Sequence, residues 1–138
     1  MTMGFLEKRA SERIILSLVT KYSLLSENAF RGYKNNPDFV NPVVVSPSGV
    51  PLGHTQDISQ GGMALVGGDL FRAGYKVLVS FELPQSPPEI SCVTEVKWVQ
   101  QFKEGARTMY RAGLQFLLMR QEDTERLKAF LANQVNPQ

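Results

Sequence analysis

The sequence predicts an all-β domain, a small antiparallel barrel of about six strands with a terminal helix packed against it. Two patterns and one change of pattern predict it. From Val50 onward, short apolar stretches recur with period two. Glycine- and proline-rich turns separate these stretches. Near the end of the chain the apolar spacing switches from two to that of a helix. A chain of 138 residues suits one domain, spanning 1–138, with a hydrophobic core of its own.

The elements follow in order. Residues 1–13 carry Lys8, Arg9 and Arg13 and read as a flexible, arginine-bearing segment. Ile14, Leu16, Leu18 and Tyr22 then alternate as in a strand. Ile15, Leu18, Val19, Tyr22 and Leu25 also fit a helical stripe, with Ser11 as an N-cap; the β-branched residues favour the strand. Ser26 to Asp38 is polar, holds Gly32, Asn35, Asn36 and Pro37, and reads as a loop within an insertion over 23–48. Val43 to Val45 reads as a short strand, turned by Pro47, Ser48 and Gly49 into the next.

The strand from Val50 to Ile58 leads through Ser59, Gln60, Gly61 and Gly62 into Met63 to Val66, which Gly67 and Gly68 break. Val77, Val79, Phe81 and Leu83 make one face of the next strand, and Pro84, Pro87 and Pro88 stop it. Ile90, Cys92, Thr94, Val96 and Trp98 share a face of the following strand, which makes Trp98 first a barrel-packing residue and second a ligand-stacking one. Beyond a polar turn at Lys103 to Ala106, Tyr110, Ala112, Leu114 and Phe116 form the last strand face. The closing helix, 121–135, places Leu127, Phe130, Leu131 and Val135 in one stripe. Glu122, Asp123 and Glu125 sit at its positive N-terminal end.

Composition narrows the function. With 43% hydrophobic and 20% charged residues the chain is globular rather than disordered. Its apolar runs are too short to insert in a membrane, and Glu7, Lys8 and Arg9 stand where a signal peptide needs apolar residues, so a cytoplasmic protein is expected. Cys92 and His54 are the only residues of their kinds. One cysteine and one histidine build neither an internal disulfide nor a finger-type zinc site, and they leave Ser-His-Asp and Cys-His catalysis without support. No catalytic residue, metal or cofactor is expected, and no enzymatic activity. A net charge of +2 suits a small anionic ligand better than nucleic acid, which favours a concentrated basic face.

Two motifs carry the chemistry. Arg9-Ala10-Ser11-Glu12-Arg13 sets two arginines four apart, and Asp57-Ile58-Ser59-Gln60-Gly61-Gly62 is an Asp-x-Ser-x-x-Gly element at a predicted strand end. In this order they resemble the RxxxR and D/NxSxxG signature of the PilZ family. Glu95-Val96-Lys97-Trp98-Val99 and Arg111-Ala112-Gly113-Leu114-Gln115-Phe116 resemble its late strands. The resemblance implies a PilZ-type barrel that binds cyclic di-GMP through Arg9, Arg13, Asp57, Ser59 and Gly62, with Lys8, Gly61 and Trp98 as further candidates. It also implies signalling to a separate protein partner, by a monomer or homodimer.

The side chains suit that ligand. An arginine fork matches phosphate oxygens and the O6/N7 edge of guanine, which a lysine cannot do bidentately. Residues four apart share a side in either a helix or a strand. The Asp57 carboxylate accepts from guanine ring and exocyclic N–H groups, and glycine lets backbone approach a bulky ligand. Plainer readings stand beside these: solvated arginines near a terminus, and a simple Asp-Ser-Gly hairpin turn. The 23–48 segment, with Phe30, Tyr33 and Phe39, departs from the family pattern by lengthening the path between the motifs. It either packs its aromatics on the barrel or offers them to a partner. The alternative functions are a PilZ-like interaction module that binds no nucleotide and a general nucleic-acid-binding barrel, for which the modest charge offers little.

Overall fold

The computed structural model describes residues 13–37, 40, 51–69 and 71–135. The expectations at Lys8, Arg9, Phe39 and Val43 to Val45 lie outside them.

The ambiguity at the start resolves as extended chain. Strand β1 is Ile14–Ile15 and β2 is Val19–Leu25. Ile14, Leu16, Leu18 and Tyr22 pack into or against the core, whereas Ile15 is 90% and Val19 70% exposed. A helical stripe would have buried both of the latter.

Ser26 to Asp38 departs from the loop expectation. Helix α1 spans Glu27–Asn35, and Ser26 caps it by accepting from the Ala29 N–H at 3.1 Å. Glu27 and Lys34 complement the two ends of its dipole. Phe30 and Tyr33 give α1 an apolar edge that packs, with Leu25, on Val40, Leu78 and Val93. Ser23, Leu24 and Leu25, expected to open the insertion, instead belong to β2.

Strands β3 (Leu52–Ile58), β4 (Gly62–Gly67), β5 (Lys76–Leu83), β6 (Ser86–Glu104) and β7 (Arg107–Met119) follow, then helix α2 (Gln121–Val135). All pairings are antiparallel. They run β3-β2-β5-β6-β7-β4 and return from β4 to β3, a closed ring of six strands, with β1 added to β3 beyond the end of β2. Closure leaves the ring without an open edge. Val77, Val79, Phe81, Ile90, Cys92, Val96, Ala112 and Leu114 of the predicted strand faces fill it, with Met63 and Leu65 of β4. Leu127 and Leu131 of α2 join the same cluster, and Phe130 packs against it. Arg126 of α2 donates to the Pro88 carbonyl at 2.6 Å and to Asp123 at 3.1 Å, which ties the helix to the start of β6.

Three strand details differ from expectation. Pro84 ends β5, but Pro87 and Pro88 lie inside β6, next to a register irregularity between Phe81 and Leu83 where no ladder donor is required of them. β6 and β7 also extend to Glu104 and Arg107 as a ribbon that pairs Phe102 with buried Met109 and turns at Gly105, whose φ is 64°. Finally, a bulge between Val96 and Trp98 reverses the alternation. Val99 packs against the core instead of Trp98, which is 43% exposed on the outer face.

Candidate functional site

The first motif reaches the second through β1. Ile14 pairs with Ile58 and Ile15 with Asp57, and the Leu16 N–H donates to the Gln56 carbonyl at 3.2 Å. Between β1 and β2, buried Thr55 bridges the irregular turn. Its hydroxyl accepts from the Leu18 N–H at 2.9 Å and donates to the Leu16 carbonyl, and its own N–H donates to the Leu18 carbonyl at 3.0 Å. Arg13 is thereby delivered to the end of β3. Its Nη1 donates to Asp57 Oδ1 at 2.6 Å, with the arginine side chain 50% and the aspartate 19% exposed. The length of the intervening segment is immaterial to this contact, because β1 is hydrogen-bonded directly to β3.

Asp57 stands at an irregularity in the β3–β4 register, between Thr55 and Asp57. Bulges of this kind re-aim a side chain at a strand end. The turn that follows is built by Ser59. Its N–H donates to the Gly62 carbonyl at 2.8 Å, while its buried hydroxyl donates to the same carbonyl and accepts from the Gly61 N–H, both at 3.3 Å. The Gly61 carbonyl in turn accepts from the Phe116 N–H at 2.8 Å. Ser59 therefore shapes the loop with the hydroxyl that the motif supplies.

The two glycines differ. A Cβ on Gly62 would lie 2.2 Å from the Leu114 carbonyl oxygen, so glycine there lets β4 approach β7. A Cβ on Gly61 would meet nothing within 4 Å. Gly61 borders open space.

That space is a solvent-open depression of about 380 Å³. Arg13, Ser59, Gly61 and Gly62 line one side of it; Lys97, Trp98, Gly113 and Gln115 line the other. Lys97 donates to Glu95 at 3.2 Å, and this contact, with Lys76 at 3.6 Å, holds the Glu95 carboxyl below the usual glutamate range. Of the predicted site residues, Arg13, Asp57, Ser59, Gly61, Gly62 and Trp98 converge on this one region. Lys97, Gly113 and Gln115 were not singled out from the sequence. Gly113 was legible only as a strand marker, and the outward placement of Lys97 beside Trp98 depends on the bulge.

The region can hold an anion beside a planar group. It offers an arginine fork, a lysine at the rim, a carboxylate acceptor, an open glycine and a half-exposed indole. Helix α1 contributes none of the lining residues. Among the described residues no cluster of histidine, cysteine and carboxylates forms a metal site, and no helix is long and apolar enough to cross a membrane.

Comparison with known proteins gives a family and a set of structural neighbours. The profile described as the PilZ domain matches residues 7–133. The fold is similar to that of the motility inhibitor MotI/DgrA of Bacillus subtilis, with a TM-score of 0.59 at 16% identity over 93% of this chain and 52% of that one. It is also similar to the PilZ domain of YcgR from Escherichia coli, solved with cyclic di-GMP, with a TM-score of 0.58 at 13% identity over 93% and 92%. A third neighbour is MrkH, a K. pneumonia protein described as a cyclic di-GMP-dependent transcription regulatory factor, with a TM-score of 0.57 at 16% identity over 93% and 51%. The chain thus spans about half the length of MotI and MrkH and nearly all of the YcgR domain. A comparison with curated protein sequences finds no match.

Proposed function

The chain belongs to the PilZ domain family, and from that premise we propose that it is a cyclic di-GMP sensor that passes its ligand state to a separate protein. One observation carries the reading: Arg13 of the first motif is ion-paired to Asp57 of the second, at the mouth of the depression that the second motif's own turn lines. The fork of Arg13 is half exposed and has donors left for phosphate oxygens or a guanine O6/N7 edge. Asp57 has a second carboxylate oxygen for guanine N–H groups. Trp98 offers a face on which a purine stacks, and Gly61 lets the backbone come close. Arg9, four residues before Arg13 in the sequence, is the second arginine assigned to the ligand in this reading. Further support comes from the neighbours, since YcgR and MrkH are described with this ligand.

Signalling follows from the ligand engaging the Arg13–Asp57 pair and changing the surface offered to the partner, a local electrostatic event of the kind that switches other domains. Isothermal titration with cyclic di-GMP tests the reading. Binding is expected, with Arg13→Ala weaker by about 1–3 kcal/mol, the range of a charge-assisted contact. A wild-type protein that gives no heat at high micromolar ligand is instead an interaction module without nucleotide, and the sensor reading falls.

A further inference from the structure

Outside the two motifs, one residue is arranged as though to serve the site without lining it. The Trp98 indole lies on Gly113, where a Cβ would stand 2.1 Å from its Nε1 and 2.2 Å from its Cε2. Only a glycine at 113 lets the indole settle onto the sheet. The guanidinium of Arg111, two residues earlier on β7, sits over the same indole with its Cζ 5.4 Å from the ring centroid. Trp98 lines the depression and Arg111 does not. The arginine thus contacts the indole without bordering the cavity.

Nothing else claims this arginine. Its Nε is buried and has no hydrogen-bond partner among the described residues. None of the ion pairs among the described residues includes it. A buried Nε without a partner is costly, and the cation–π contact is the interaction found in compensation. The bulge after Val96 turns Trp98 out of the core, and an exposed tryptophan on a strand would otherwise sample several rotamers. Gly113 and Arg111 together confine it.

We propose that Arg111 is a positioning residue that locks Trp98 into a preformed stacking platform for a purine base of the ligand. The inference rests on the cyclic di-GMP reading and deepens it. Immobilising a side chain before binding removes that entropy loss from the binding step. Arg111 thus strengthens binding without touching the ligand.

The test uses the full chain and its single tryptophan as the reporter. In Arg111→Met, which keeps length but loses the cation, acrylamide quenching of Trp98 fluorescence rises, and cyclic di-GMP affinity by calorimetry falls about three- to tenfold. Arg111→Lys, which keeps the cation, regains most of that loss. In a Trp98→Ala background, Arg111→Met produces no further loss, because the arginine acts only through the indole. Wild-type affinity in Arg111→Met overturns the inference, as does a loss that persists undiminished without Trp98. Absence of binding by the wild-type protein is a different failure: it removes the cyclic di-GMP reading, and the platform with it.

Discussion

At the scale of single residues, the two glycines of the second motif have separate reasons to be glycine. Gly62 is pressed against the Leu114 carbonyl, while Gly61 faces open space. Gly62→Ala is therefore expected to lower stability by about 1–3 kcal/mol, as overpacking does. Gly61→Ala is expected to leave stability within about 0.5 kcal/mol and to weaken cyclic di-GMP alone, by crowding the backbone approach. Chemical denaturation and titration of both variants separate the effects; equal losses of stability would refute the distinction. The motif announced that these residues belong together. It did not say which of them serves the sheet, because that depends on the distance between β4 and β7. The convergence of Arg13 with Asp57 was legible, since both lie in recognisable short patterns. Lys97, Gln115 and Arg111 were not, because their relation to the site is set across strands by register.

At the scale of elements, period-two alternation identified β5 and the apolar cores of β6 and β7 correctly, and flanking glycines marked the apolar run of β4. It failed at one bulge, where a single extra residue reversed the faces and brought Trp98 out. Helix α1 escaped notice for another reason: Gly32, Asn28 and Asn35 depress its propensity, and its stabilising contacts are with β5 and β6, far off in sequence. Its cap was nevertheless visible, with Ser26 followed by Glu27. Ser26→Ala is expected to destabilise α1 by about 1 kcal/mol. Hydrogen exchange should show faster exchange at Ala29 and Phe30. Ligand affinity should not change, since α1 packs on Leu78 and Val93 and lines no part of the depression. A weakened ligand would place the helix in the binding mechanism.

At the scale of the whole molecule, one core filled by residues from the ring strands and α2 predicts cooperative unfolding. Cys92, the chain's single cysteine, reports on it. Burial pushes its thiol above the usual cysteine range, so the reactive thiolate is scarce in the folded protein. Alkylation is expected to follow global unfolding, accelerating in denaturant and slowing with saturating cyclic di-GMP, which stabilises the folded state. Rapid labelling in native buffer would show instead that the barrel opens locally at β6. The closed barrel was legible from strand number and turn spacing, while the pairing of β1 with β3 was carried by only two residues and a buried threonine. The ribbon of β6 and β7 has a mechanical consequence. Its last rung tied to the ring is Gln101–Tyr110, where Gly67 of β4 pairs with Tyr110, and its tip at Gly105 is four residues away, a span of about 13 Å. The ribbon is a short lever that leaves the ring where β4 ends: a tilt of about 10° at that rung displaces the tip by about 2 Å over such a length. A probe on Ala106 would register such a tilt at a distance from the depression.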